Sequence, residues 1–393
     1  MQKKAVKIER RNAVVTVAVL AVLTSLVVGM HLTAPEKYVM YSSESITYEQ
    51  GRVTAVLSER LEEAPGMPGW KLGEQEIRVE FMSGAWKGQE VQLTNNLSTT
   101  HNIHVRVGQR VIVKADCPEH VEPYYTLYNY DRAPGLMAVG LIFVAMMALV
   151  GRGKGLKSVL GLGISLFFIL GFLLPAIYRG WSPVMTASLT VVVIAAFSLI
   201  LLNGFSRKTA TAVTATAAGV VFSAGFFLLL SALLSLSGYN QPEAEELILI
   251  SQHTGLRIGE VLFAGVLISS LGAVMDTTMS IASSLHELHE VHPDRKGWDL
   301  FRSGIVIGRD MIGTMCQTLV LAFVGSSIAS LLVLCSYGTR LDQFLSSDYA
   351  AIEVVHAVSG SLAVIVSVPV TAFLCALDSS RTNIVKEKGQ KKR

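Results

Sequence analysis

The sequence predicts an α-helical polytopic membrane protein of about eight transmembrane helices, carrying one small all-β domain outside the cytoplasm. Three observations predict it. Of 393 residues, 51% are hydrophobic and 16% are charged, where a soluble chain carries about 25% charged residues. Apolar runs of the ~20 residues that cross a hydrocarbon core alternate with short polar links. The Lys and Arg residues collect in alternate links, as they do on the cytoplasmic side of membrane proteins. The net charge is only +3 and no basic stripe is present. The expected partner is therefore the lipid bilayer and not nucleic acid.

The elements follow in order. Lys3, Lys4, Lys7, Arg10 and Arg11 precede an apolar run over 13–30. That run exceeds the roughly 7 to 15 apolar residues of a signal peptide, and the one small-residue cleavage candidate, Ala34, is followed by Pro35. Residues 1–32 are therefore expected to be an uncleaved anchor with its N-terminus inside. Residues 33–132 form the β domain, with period-two strands at 51–57, 76–82, 90–93, 110–114 and 124–130 separated by turn-forming stretches. A small barrel or sandwich suits this pattern, with an OB-like barrel as one candidate. Residues 133–378 form a seven-helix bundle with apolar segments at 134–150, 156–177, 184–202, 210–236, 258–280, 312–334 and 354–377, and 379–393 form a basic tail.

The links test the orientation. Arg152, Lys154 and Lys157 fall in one, Arg207 and Lys208 in another, and Arg295, Lys296, Arg302 and Arg309 in a third. Arg381, Lys386, Lys388, Lys391, Lys392 and Arg393 lie in the tail. With eight crossings and an inside N-terminus all of these are cytoplasmic, and so are both chain ends. Of Cys117, Cys316, Cys335 and Cys375 only the first lies outside an apolar segment, so no disulfide framework is expected.

Small residues mark packing faces. Ala210, Thr214 and Ala218 recur at four-residue spacing beside Thr211, Ala215 and Gly219, which offers two faces for close approach by neighbours. Gly304 and Gly308 form a second such pair.

The densest polar information lies in two stretches, LGAVMDTTMSIASSL at 271–285 and SGIVIGRDMIGTMCQTLVL at 303–321. With Asp131-Arg132 before the second segment, the Gly151-Arg152-Gly153-Lys154-Gly155 link and Gly360-Ser361 in the last helix, they resemble the YibE/F family of bacterial multi-pass membrane proteins. The resemblance covers nearly the whole chain. It implies a bacterial cell membrane location and a multi-pass architecture, and it specifies neither substrate nor reaction.

Asp276, Ser280, Ser283 and Glu287 share one helix face, and Asp310, Thr314 and Gln317 share another. A hairpin turning near Arg295 would let the two stripes face each other, with Arg309 paired to Asp276 across the helices. An ionised Asp in hydrocarbon costs about 2.5–3.5 kcal/mol and seeks a partner or a watery cavity; the alternative is that both Asp residues lie at the cytoplasmic interface, where they would cap or anchor helix ends and cost little. These residues are the candidates for an ion or substrate pathway. Two such carboxylates also resemble those of intramembrane aspartyl proteases, but Arg309 beside Asp310 opposes a shared proton.

Histidines supply the candidate metal ligands. His101-x-x-His104 followed by Cys117-x-x-His120 has the ligand types of a four-coordinate zinc site, and His286, His289 and His292 repeat every three residues. Zinc or another transition metal is the cofactor these spacings admit. Tyr124, Tyr125, Tyr128 and Tyr130 precede a membrane segment, where aromatic belts are common. No nucleotide loop or Ser/His/Asp series accompanies them, and enzymatic activity is not favoured. The expectation is a transporter-like or translocation-related protein. The alternatives are a membrane-anchored sensor or scaffold whose outer domain binds an envelope partner and, more remotely, an intramembrane aspartyl hydrolase.

Overall fold

The computed structural model describes residues 21, 24–32, 45–118, 120–239, 244–295, 297–338 and 340–390, with side chains to residue 379. The expected anchor run at 13–30 lies largely outside these residues, as do the domain segment 33–44 and the tail side chains; residues 24–32 are helical. The chain divides into two compact units, one spanning Val39–Met147 and the other Met1–Tyr38 with Ala148–Arg393.

The first unit holds five antiparallel strands: β1 (Ile46–Glu63), β2 (Lys71–Phe81), β3 (Glu90–Leu97), β4 (Arg110–Asp116) and β5 (Tyr124–Tyr130). They follow the order β3-β2-β1-β4-β5. All five expected strands are present; β1 to β4 are each longer than expected, and β1 is the most underestimated. Its alternation breaks at register shifts between Val53 and Ala55 and between Val56 and Ser58. Such bulges bend a strand and let it serve two neighbours, and β1 pairs with both β2 and β4. The sheet curls into a half-barrel, with β3 brought beside β5 without ladder bonds between them.

The half-barrel core is apolar and includes Val53, Ile77, Val79, Phe81, Val105, Val111 and Val113. Two buried polar side chains, Gln75 and Asn95, interrupt it. Gln75 is fully buried, and its Nε2 donates to Val105 O at 3.1 Å and to Glu59 Oε1 at 2.6 Å. Its Oε1 accepts from Val105 N at 3.1 Å and from Asn95 Nδ2 at 3.0 Å. This network ties the 101–109 connection to β2, because Val105 has no ladder partner of its own.

The second unit is helical. Helix α1 (Ala133–Phe168) starts in the first unit and breaks at Arg152, which adopts φ 47° and ψ −134° between Gly151 and Gly153. A π-helical turn at Ile169–Leu173 and helix α2 (Leu174–Tyr178) continue it. The run Ala133–Tyr178 spans 46 residues, about 69 Å if straight and over twice a 30 Å hydrocarbon core. The break thus falls at the glycine-rich link where the sequence divided two segments.

The remaining helices are α3 (Pro183–Asn203), α4 (Arg207–Leu233), α5 (Ala244–Thr254), α6 (Ile258–Val291), α7 (Trp298–Ser326), α8 (Ile328–Ser336), α9 (Leu341–Leu345) and α10 (Asp348–Gln390). Among the described residues six helices are long and apolar enough to cross a membrane. One boundary needs correction. The segment expected at 312–334 begins at Trp298 and ends at Ser326, because Arg302, Arg309 and Asp310 mask the helical first half from a hydropathy reading. Helix α10 packs against α4, α6 and α7 and is the centre of the bundle.

Glycines set those distances. A Cβ at Gly304 would lie 2.6 Å from Ala372 Cβ, one at Gly308 would overlap Val368, and one at Gly219 would lie 3.2 Å from Ser367 Cβ. The expected pair on α7 therefore packs on α10. On α4 only one of the two small faces is used: Ala215 and Gly219 are buried, while Ala210, Thr214 and Ala218 are exposed.

Candidate functional site

The sequence expects the polar stripes of α6 and α7 to carry the chemistry. Asp276, Glu287, Arg309, Asp310, Thr314 and Gln317 are all exposed on the second unit, and Ser280 and Ser283 are half-buried. No ion pair joins Arg309 to Asp276 among the described residues. The turn between the helices does fall at 292–297, as the hairpin requires. Asp276 and Asp310 sit roughly 18 Å or more from either end of their helices, at 1.5 Å per residue. Each of these charges would cost about 2.5–3.5 kcal/mol if it faced hydrocarbon.

The histidine sets take individual partners. His104 Nε2 lies 3.4 Å from Glu59 Oε1, and the His104 carbonyl accepts from the Tyr130 hydroxyl at 2.8 Å. Ser98 Oγ accepts from the His101 amide, the Cys117 amide donates to Ser45 O, and His120 is exposed at φ 67°. His286 Nε2 lies 3.3 Å from Glu290 Oε1, His289 Nδ1 lies 3.3 Å from Arg295 O, and His292 ends α6. Among the described residues no three His, Cys, Asp or Glu side chains come together as metal ligands do. Burial raises the Cys117 thiol above its usual range, which disfavours the thiolate a metal needs. Tyr125 packs on Phe81 and Trp86 and Tyr130 on the half-barrel core, so half of the tyrosine set belongs to that core, while Tyr124 and Tyr128 are exposed.

Of the six buried polar atoms without a partner among the described residues, two are Asn95 Oδ1 and Thr190 Oγ1, and the other four lie instead on α10. Near its start Glu353 Oε2, His356 Nε2, Ser359 Oγ and Ser361 Oγ are all buried and without a hydrogen-bond partner among the described residues. The His356 ring is held between Phe227 of α4, at 6.2 Å, and Phe323 of α7, at 5.9 Å between centroids. One turn on, a Cβ at Gly360 would already touch Ser270 Cβ of α6 at 3.6 Å. Neighbouring helices bond here to the α10 backbone: Ser223 Oγ donates to Ser359 O at 3.0 Å and Cys316 Sγ to Ser361 O at 3.6 Å.

Further along, Ser367 and Thr371 are fully buried and bond back to their own helix, flanking Pro369. Thr216 and Thr278 share a 2.8 Å hydroxyl contact between α4 and α6. From Glu353 to Asp378 the polar series covers about 37 Å along the helix axis, enough to traverse a hydrocarbon core.

At the far end a cleft of about 160 Å³ opens between Arg207 and Lys208 of α4, His286 and His289 of α6, and Cys375 and Asp378 of α10. Arg207 Nη1 lies 3.5 Å from Asp378 Oδ1. The starts of α4 and α7 and the ends of α6 and α10 meet here, as alternating up and down helices must.

Membrane-length helices surrounding a series of buried hydroxyl and ionisable groups define a polytopic helical membrane protein. The profile of YibE/F-like proteins matches residues 139–380, and the chain belongs to that family. No curated protein and no solved structure matches it.

Proposed function

We propose that the chain is a transporter-type membrane protein whose pathway follows the buried polar face of α10. The observation that carries this reading is the series of four buried polar atoms at Glu353, His356, Ser359 and Ser361 that have no partner among the described residues. A buried polar group without a partner costs about 1–3 kcal/mol, more if charged. A helix meant only to span would replace these side chains with apolar ones. Ionisable groups facing a bundle interior mark ion and substrate pathways.

The family resemblance, the alternating basic links and the Arg152 break support eight crossings with both ends cytoplasmic. In that frame residues 33–132 are extracytoplasmic, and the strand order suits an OB-like barrel. Glu353 and His356 then lie near the outer surface, and the Arg207–Asp378 cleft lies at the inner one.

Cysteine accessibility tests this. In a chain with Cys117, Cys316, Cys335 and Cys375 replaced by Ala, Ser359→Cys, Ser361→Cys and Ser367→Cys should react with a small water-soluble thiosulfonate. Val354→Cys, Val358→Cys and Phe373→Cys, on the exposed side of α10, should not. A sensor or scaffold with purely anchoring helices would leave all six unreactive, and that result would sink the transport reading.

A further inference from the structure

The exposed stripe of α6 and α7 plays no part in the pathway on α10, yet it contains the two stretches that carry the family resemblance. We infer that this stripe is the surface through which two copies of the chain pair in the membrane.

Lipid is the wrong neighbour for it. Asp276, Arg309, Asp310, Thr314 and Gln317 are exposed in the middle of membrane-length helices. Hydrocarbon offers neither counter-charge nor hydrogen bonds. Helix α7 is also the least covered span: 11% of its most apolar window is buried, against 33–50% in the other five. The backbone is shaped for a close neighbour as well. Gly304 and Gly308 are already filled by α10, whereas Gly313 of α7 and Gly272 of α6 have nothing within 4 Å of a Cβ position. Small residues flanked by hydrogen-bonding side chains are what membrane helices use to associate.

A second copy fits because the stripe carries both signs of charge. Arg309 makes no ion pair within its own chain among the described residues, and neither does Asp276 or Asp310. A two-fold axis parallel to the helices brings the same patch against itself. Arg309 of one copy then neutralises Asp276 or Asp310 of the other, and the symmetric contact repeats. Each charge that lipid would reject thereby gains an opposite charge, with Thr314 and Gln317 donating around it. A patch of one sign would instead need a partner of the other sign.

The test uses the full chain with its four cysteines replaced by Ala and reconstituted in lipid vesicles. Under copper phenanthroline, Gln317→Cys should form a disulfide between two copies. Leu229→Cys, exposed on α4, should not. Single-molecule photobleaching across a lipid dilution series then reads the monomer–dimer equilibrium. Polar contacts between membrane helices are each worth about 3- to 20-fold in affinity, and a two-fold contact is made twice, so Arg309→Gln should weaken pairing by about 10- to 300-fold. Monomers at every dilution would overturn the inference and leave the stripe to a different partner. So would dimers that cross-link through Leu229→Cys and ignore Arg309→Gln. Either failure leaves the pathway on α10 untouched, since accessibility at Ser359 and Ser367 is read separately.

Discussion

Replacing Gly304 or Gly308 by Ala should loosen the bundle, and the size of the effect follows from the geometry. The new methyl at Gly304 would lie 2.6 Å from Ala372 Cβ and 2.9 Å from Leu285 Cδ1. Carbon atoms in contact prefer about 3.5–4.0 Å, so α7 must retreat from α10 by roughly 1 Å. Neither neighbour can step aside. Ala372 presents its Cβ and Cα, and Val368, which meets Gly308, is β-branched and stiff. Overpacking of this kind costs about 1–3 kcal/mol. The helix propensity gained from Gly to Ala, about 1 kcal/mol in water, offsets less here, because membrane helices persist when their packing is lost. The assay is the thermal midpoint of monodispersity in detergent, with Gly225→Ala as control, since nothing lies within 4 Å of a Cβ there. Gly304→Ala and Gly308→Ala should each lower the midpoint while Gly225→Ala leaves it or raises it slightly. The double variant should fall short of the sum, because both methyls push the same two helices apart. Equal midpoints for Gly304→Ala and Gly225→Ala would refute the close-packed role of the glycine.

Two further predictions concern the half-barrel. Gln75→Leu strands the Val105 N–H and C=O, both of which bond to the Gln75 side chain, so the unit should lose about 2–6 kcal/mol at 1–3 kcal/mol per group. Hydrogen exchange should speed up across β2–β4, and unchanged protection there would count against the network. The second prediction is a pH dependence. Glu59 is held below its ordinary carboxylate value, first by the hydrogen bond from Gln75 and then by His104. A carboxylate depressed in the folded state contributes stability above its unfolded pKa and loses it as pH falls through the folded one. Its side chain is 41% exposed, so solvent screens the effect and it should be modest. Glu59→Gln should flatten the acid limb of the exchange profile, and Gln75→Leu should flatten it too by removing the largest cause. An unaltered limb in Glu59→Gln would exclude this residue as its source.

The strands were legible because alternation is a local signal and one face of the sheet is solvated. Their limits were less so: β1, β2, β3 and β4 all run beyond the expected residues, β1 furthest, where its bulges scramble the period, and only β5 has the expected bounds. The division of 133–178 was legible from Gly151-Arg152-Gly153, since a non-glycine residue at φ 47° is sustained most easily between glycines. The start of α7 was not, because hydropathy counts Arg302, Arg309 and Asp310 against a helix that propensity alone would extend to Trp298. The histidine spacings do not correspond to a converging ligand set among the described residues. They fix ring positions along a chain, whereas a metal needs lone pairs converging in space, and each of His104, His286 and His289 is turned toward a separate oxygen.

The candidate site divides along a line that periodicity cannot draw. In water, a helix with a polar stripe turns that stripe outward, so the pattern reveals direction. In a bilayer the outside is as apolar as the core, and a stripe at i, i+3 and i+4 states only that its members share a face. Asp276 and Asp310 stand out because their side chains are charged, yet they lie on the outer surface. Glu353 and His356 were missed for complementary reasons. Glu353 sits one residue before the apolar run at 354–377 and so counts as an interfacial charge, and His356 is a single polar residue inside a run whose average it barely lowers. What separates them is burial: both keep a polar atom inside the bundle with no partner among the described residues. A conspicuous charge on a membrane helix therefore calls for something to cover it, and an inconspicuous one held inside calls for something to reach it. The two sets of residues are accordingly proposed for pairing and for passage, and variants in one should leave the other's readout unchanged.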